Sequence, residues 1–252
     1  MRILRPWKGA FWLLALWGSL MLRPPVGAYD IDAPDREMTV QGRITFAGSP
    51  PKAEALPVYR DSKFCGETIP NESLTVEATS HGVAGVVVSL EGVANGKPVA
   101  LQEDEPELGF ENRICRFFPR TSAAAVGSTI GIKNSDPILH NTHIRKENRF
   151  GSTVLNVAQP AGTKMIKKPL RESGFMDIRC DAHPFMRATV LVFEHPYFAV
   201  TDATGRFELP RVPPGRYRLH TWHETLGTTE RTISVTSEGP LSIDVELRQP
   251  ER

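Results

Sequence analysis

The strongest constraint on the fold of this chain is the spacing of its apolar residues, which alternate with polar ones over short stretches closed by glycine and proline. From Met38 to Phe46, Val40, Gly42, Ile44 and Phe46 share one face, and Thr39, Gln41, Arg43 and Thr45 the other. A period of two marks a half-buried strand, and Gly48-Ser49-Pro50-Pro51 stops it. Val83 to Leu90, centred on Val86-Val87-Val88, predicts a buried strand, and Gly92 to Pro98 a turn. Further strands are predicted at Ile114 to Phe118, Ser128 to Asn134, Ser173 to Arg179 and Arg187 to Glu194. Arg206 to Leu209, Tyr217 to Trp222, Thr232 to Val235 and Leu241 to Leu247 follow, while the acidic stretch Gln102 to Glu111 reads as a solvated loop. No helix of ordinary length, no repeat and no heptad pattern is predicted beyond the N-terminal apolar run. The expected class is all-β, made of packed sandwich sheets.

With 252 residues, 40% of them hydrophobic, the chain can build one large β domain or two small ones. A net charge of +1 gives nucleic-acid binding no electrostatic support. The N-terminus has the layout of a secretory signal: Arg2, Arg5 and Lys8, then an apolar run from Ala10 to Leu22, then small residues at Val26-Gly27-Ala28. Cleavage is expected after Ala28, giving a periplasmic or secreted protein. The apolar run is shorter than the roughly 20 residues that span a bilayer, and nothing later is predicted to span. Residues 29–37 are polar and without period, and are expected to form a flexible leader.

Export bears on the three cysteines, Cys65, Cys115 and Cys180. In an oxidising compartment two would pair and leave one free, functional thiol. Cys180-Asp181-Ala182-His183-Pro184-Phe185-Met186 sets a thiol, an imidazole and a thioether in one loop between two predicted strands. Soft sulfur ligands with imidazole suit copper, and zinc sites rarely use Met. A second His is required from elsewhere. Asp136-Pro137-Ile138-Leu139-His140-Asn141-Thr142-His143 offers two, but in extended chain His140 and His143 face opposite ways and would not share one ion.

The Cys-x-x-His-Pro-Phe-Met loop, with a basic residue and a Val-rich strand after it, resembles the copper loop of amicyanin, one of the plastocyanin-like cupredoxins. The stretch His140-Asn141 is similar to that family's upstream motif. The resemblance spans roughly residues 83–195. It implies a Greek-key cupredoxin β-sandwich with one type 1 copper held by His140, Cys180, His183 and Met186, and Asn141 tying the two ligand loops together. It also implies that His183 is a partly exposed electron port, with Pro184 and Phe185 in an apolar patch around it. Leu139 stands where the family has Pro, and residues 38–82 lack a counterpart. Cys65 and Cys115 are then left as a disulfide pair, with two reduced buried thiols or further soft metal ligands as alternatives. A paired-copper centre would need a second Cys in the loop.

Downstream, Thr201-Asp202-Ala203-Thr204-Gly205-Arg206-Phe207 and Pro214-Gly215-Arg216-Tyr217 resemble the carboxypeptidase regulatory-like (transthyretin-like) β-sandwich, with Phe207 and Tyr217 filling its core. The expected division is a copper domain at 38–195 and a small C-terminal sandwich at 188–252, sharing or abutting the strand at 188–193. The fused arrangement resembles a bacterial family labelled methylamine utilisation protein. His195, His223 and Glu224 could compose a second metal site, but the reading that prevails is hydrogen-bonded histidines near a domain junction; His220 is treated the same way. No His-Glu-x-x-His peptidase motif, Ser/His/Asp elbow or phosphate loop is present. The expected function is an exported single-electron carrier serving a transient redox partner, a cytochrome or a dehydrogenase, with no reaction of its own. Copper storage or delivery, and a scaffold without metal, are the alternatives.

Overall fold

The structure, a computed structural model, describes residues 29–32, 37–101, 106–147 and 151–250. The expected signal segment, 1–28, lies outside the described residues. Strands make up 53% of the described residues and helix 2%, so the class is all-β.

The first part of the chain holds β1 (Asp30–Ile31), β2 (Met38–Phe46), β3 (Ala55–Pro57), the one-turn helix α1 (Ser62–Cys65), β4 (Thr68–Pro70), β5 (Val87–Glu91) and β6 (Asn95–Gly96). The middle holds β7 (Leu108–Arg113), β8 (Arg116–Phe118), β9 (Thr121–Ala125), β10 (Thr129–Asn134), β11 (His140–Lys146), β12 (Thr153–Gln159), β13 (Ile166–Pro169), β14 (Gly174–Arg179) and β15 (Arg187–Phe193). Last come β16 (Phe198–Val200), β17 (Arg206–Val212), β18 (Gly215–His223), β19 (Gly227–Val235), β20 (Leu241–Ser242) and β21 (Val245–Leu247).

Two sandwiches result, one inserted into the other. The inner one packs the sheet β13-β10-β7-β8 on the sheet β12-β11-β14-β15-β9. Its core holds Phe110, Phe117, Ile130, Ile132, Ile144 and Ile178. The outer one packs β16-β5-β18-β19 on β17-β2-β20, with β21 also paired to β2. Its core takes Val40, Ile44, Phe46, Val83, Val86, Val88 and Leu90 from the start of the chain and Phe207, Leu209, Tyr217 and Leu219 from the end. Each such large side chain, fully buried, contributes about 1.5–3 kcal/mol.

The expected boundaries therefore do not follow the cores. A C-terminal unit at 188–252 lacks two of its own strands, because β2 pairs with β17 and β5 lies between β16 and β18. Of the two expected relations, the strand at 188–193 abuts and is not shared: among the described residues β15 pairs only with β14 and β9, in the inner sandwich, and its Phe193 meets Phe198 of the outer one. β5 shows why the chain closes this way. Val86, Val88 and Leu90 enter the outer core, while Val87 and Ser89 are also buried. A strand covered on both faces belongs in mid-sheet.

Two other expectations change. Leu108–Arg113, at the end of the acidic stretch, is strand β7, with Phe110 and Asn112 buried. Residues 102–105 lie outside the described residues. In the leader, Asp30 and Ile31 pair in parallel with Asn95 and Gly96, and the Tyr29 hydroxyl donates to the Lys97 carbonyl; residues 33–36 are not described. The close crossing of Gly82 and Gly205 closes the outer sandwich: Ile44 N donates to Gly205 O at 2.8 Å and Val83 N to Ile44 O at 2.9 Å. The sandwiches meet through Phe193 stacked on Phe198 (5.0 Å between centroids), Phe175 edge-on to Trp222 (5.2 Å) and an ion pair between Arg120 and Glu224.

Candidate metal centre

Two connections meet at one end of the inner sandwich. One is the loop between β14 and β15, closed by its own backbone. His183 N donates to Cys180 O (3.3 Å), Met186 N to His183 O (2.9 Å) and Cys180 N to Met186 O (3.3 Å). The other is the turn from Ser135 to Leu139 that precedes β11. Asn134 organises it, accepting from Asp136 N at 3.0 Å and donating to Ile138 O at 2.8 Å. His140, the first residue of β11, then points inward, as do Cys180 and His183. All three are buried.

Their donor atoms converge. His140 Nδ1 lies 3.2 Å from His183 Nδ1, and Cys180 Sγ lies 3.6 Å from His183 Nδ1. Atoms bound to a single first-row ion at about 2.0–2.3 Å stand roughly 3–4 Å from one another. The hydrogen bonds on the far side of each ring fix which nitrogen faces in. His140 Nε2 is 2.8 Å from Asp136 Oδ2, and His183 Nε2 is 2.9 Å from Asp61 Oδ2. A carboxyl partner takes the ring N–H, so both Nδ1 atoms present lone pairs to the same dry space. Two buried acceptors facing each other are unfavourable unless a cation lies between them. The residues thus fit a soft first-row ion. Burial also pushes the His140 pKa below its ordinary value, favouring the neutral ring that a metal needs.

Met186 is 1% exposed and shares the core cluster with Cys180. Asn141 links the two connections. Its amide N–H points at Cys180 Sγ (3.4 Å), and its side-chain oxygen accepts from Asp181 N (3.0 Å). His143 faces away from the cluster, with Nδ1 3.1 Å from Asp181 Oδ1 and Nε2 3.0 Å from Thr153 Oγ1.

One expectation fails. His183 is not a partly exposed port; it is wholly buried, because Asp61 covers its outer nitrogen. Pro184 is exposed and Phe185 half-buried beside His183, 5.6 Å between ring centroids. The sequence reading missed both carboxyl partners. Asp136 sits four residues before His140 and carried a local signal. Asp61 lies 122 residues from His183 and carried none.

Cys65 and Cys115 form a disulfide, leaving Cys180 as the free thiol. Cys115 also lies near Asp136 and His140, but its sulfur is committed to that bond. His195 and His223 do not join in a second cluster among the described residues. His195 Nδ1 accepts from Tyr197 N at 3.2 Å, and His223 Nδ1 from Thr225 N at 3.2 Å and Leu226 N at 3.3 Å. His220 sits with Glu91 and Glu230 at the surface, where Glu91 already pairs with Arg218.

The carboxypeptidase regulatory-like domain family matches residues 181–248. No curated protein matches the chain. Similar solved structures include a reduced amicyanin variant, 21% identical, covering 36% of this chain and 85% of its own, with a TM-score of 0.32. A copper-containing nitrite reductase from Thermus scotoductus SA-01 is 19% identical over 39% of this chain, with a TM-score of 0.33, and only 26% of its own length is spanned. A purple cupredoxin from Nitrosopumilus maritimus is 21% identical over 34% of this chain and 99% of its own, with a TM-score of 0.29. Among the described residues no helix is long and apolar enough to cross a membrane.

Proposed function

We propose that this chain is an exported single-electron carrier that holds one copper ion at His140, Cys180, His183 and Met186. The observation that carries the reading is the pair of inward Nδ1 atoms, 3.2 Å apart and buried beside the Cys180 sulfur. Bound there, copper would supply a one-electron couple, with the Met186 thioether as a further soft ligand that would tune its potential. The protein's own residues do the rest. Asp136 and Asp61 hold the two rings in one tautomer. The Asn141 amide, pointing at Cys180 Sγ, stabilises negative charge on the sulfur. The backbone-bonded loop from Cys180 to Met186 resists rearrangement when charge changes. The partner would be a cytochrome or a dehydrogenase, in keeping with the methylamine utilisation arrangement the sequence resembles, and the chain would catalyse no reaction of its own.

The test is to add Cu(II) to the purified full chain and record visible and EPR spectra beside a Cys180→Ser variant. An intense thiolate-to-copper band that the variant lacks, reversibly bleached by a one-electron reductant, is the expected result. A colourless protein that takes only Cu(I) would shift the assignment to storage or delivery. No copper uptake would overturn the ligand set.

A further inference from the structure

The segment between β2 and β5 leaves the outer sandwich at Ala47, crosses to the inner one, and returns by Leu74 and Val76, which pack against the outer core. It has little structure of its own: the short pair β3–β4, with Leu56 opposite Ile69, and the single turn α1. It is nevertheless anchored. Val58, Cys65 and Ile69 are buried in the inner core, Glu72 pairs with Arg116, and Cys65 is bonded to Cys115.

Asp61 heads α1, and its behaviour there is unusual. Aspartate at a helix start normally turns its side chain back onto the first backbone N–H groups. Here no such cap forms. The backbone at Asp61 takes the left-handed conformation, φ +56°, and the carboxyl reaches His183 Nε2. A non-glycine residue held at positive φ, with its local hydrogen bond forgone, marks a position set by something other than local preference. What it achieves is plain in the exposure: the Asp61 side chain is 40% exposed, and the His183 ring beneath it is closed to solvent.

We propose that Val58–Pro70 is a clasp over the metal centre, locked by Cys65–Cys115, in which Asp61 is the positioning residue for His183 and the barrier to metal exchange on that side. The proposal rests on the copper reading above. It follows that this chain retains its ion and does not hand it over, and that a partner approaching from this side meets the clasp instead of the imidazole.

The test uses the full chain loaded with Cu(I) and an excess of bicinchoninate as the extracting probe, with the visible band of the Cu(II) form and the melting temperature recorded in parallel. Asp61→Ala is expected to speed extraction by about tenfold or more, the scale of one hydrogen bond to a charged group. It should shift the thiolate band and lower the melting temperature by only about 2–4 °C, because water can reach the place of the 40% exposed carboxyl. Asp61→Asn, which keeps an acceptor oxygen, should restore most of the wild-type rate. A Cys65→Ser/Cys115→Ser variant should extract at least as fast as Asp61→Ala, but since it also loses a core tether, Asp61→Ala decides. A wild-type chain that binds copper yet releases it no more slowly than Asp61→Ala would overturn the clasp alone. A wild-type chain that takes up no copper would overturn the copper reading, and the clasp with it.

Discussion

Replacing Asp136 with alanine should destabilise the fold beside the site, and the reason lies in three contacts. Its Oδ1 accepts from Ile114 N at 2.7 Å, and its Oδ2 from Cys115 N at 2.8 Å and from His140 Nε2 at 2.8 Å. Ile114 and Cys115 form the two-residue turn between β7 and β8, and both sit at positive φ, +52° and +54°. That turn prefers Asn-Gly, and each non-glycine residue there costs about 1–2 kcal/mol. The Asp136 carboxyl holds the turn against that cost. Without it, the Cys115 amide and the His140 N–H are left unpaired in the interior, at about 1–3 kcal/mol each. Ile114 is 55% exposed, so water can reach its amide. Removing a buried carboxyl recovers some desolvation, leaving a net loss of about 3 kcal/mol. In a chain of this size each kcal/mol moves the melting point by about 2–4 °C, so a fall of roughly 10 °C is expected in the metal-free protein. Thermal melts followed by circular dichroism measure it, with Asp136→Asn, which retains one acceptor oxygen, falling between. A melting point for Asp136→Ala within about 2 °C of wild type would refute the reasoning.

Burial pushes the His223 pKa down to about 4 from its ordinary value, with Glu224 opposing the depression and Arg120 adding to it. The unfolded chain, whose His titrates near 6.5, therefore binds the proton first. The His223 contribution is intact above about pH 6.5, falls as pH drops, and levels off near 4, a loss of up to about 3 kcal/mol. His223→Asn keeps an acceptor for the Thr225 and Leu226 amides and should flatten urea-denaturation stability over that window; an unchanged slope would contradict it. Gly205 lies at φ +78°, and a Cβ there would stand 2.2 Å from the Ile44 carbonyl oxygen; Gly205→Ala should cost about 1–3 kcal/mol through overpacking alone, read from the denaturation midpoint. A fragment of residues 188–252 should be unfolded by circular dichroism, since its core needs β2 and β5; a cooperative thermal transition in that fragment would show the sandwich to be self-sufficient.

Legibility followed sequence distance. Strand β2 was readable because its alternation is local, and Val40, Ile44 and Phe46 are indeed buried. The turn at Asp202 was readable because its hydrogen bonds are local too: Asp202 accepts from Thr204 N and Arg206 N through Oδ1. The ligand loop is a single run, and three of the four expected ligands, His140, Cys180 and His183, meet as donors. The pairing of β2 with β17 escaped because period two says which face is apolar, not which strand lies alongside, and here the partners are more than 160 residues apart. β7 escaped because the acidic run ahead of it masked the alternation of Leu108, Phe110 and Asn112. Asp61 escaped because an aspartate before a short polar stretch ordinarily reads as a turn or cap.

The fold gives residues 38–82, which lack a counterpart in the family the sequence resembles, a physical role. β2 and β5 are needed by the outer sandwich, so the segment joining them must start and end there. The short route between them would be a tight connection. The chain instead spends residues 47–82 on a path to the far sandwich, at a loop-closure cost that grows only slowly with length, and fixes that path with Cys65–Cys115. The same Cys115 amide is held by Asp136, which also holds His140. One disulfide therefore joins the segment that covers His183 to the turn that supports His140. The carboxyl that sets His183 lies four residues before one end of this bond, and the carboxyl that sets His140 accepts from the backbone amide at its other end, which makes the disulfide part of the metal centre's support as well as of the fold.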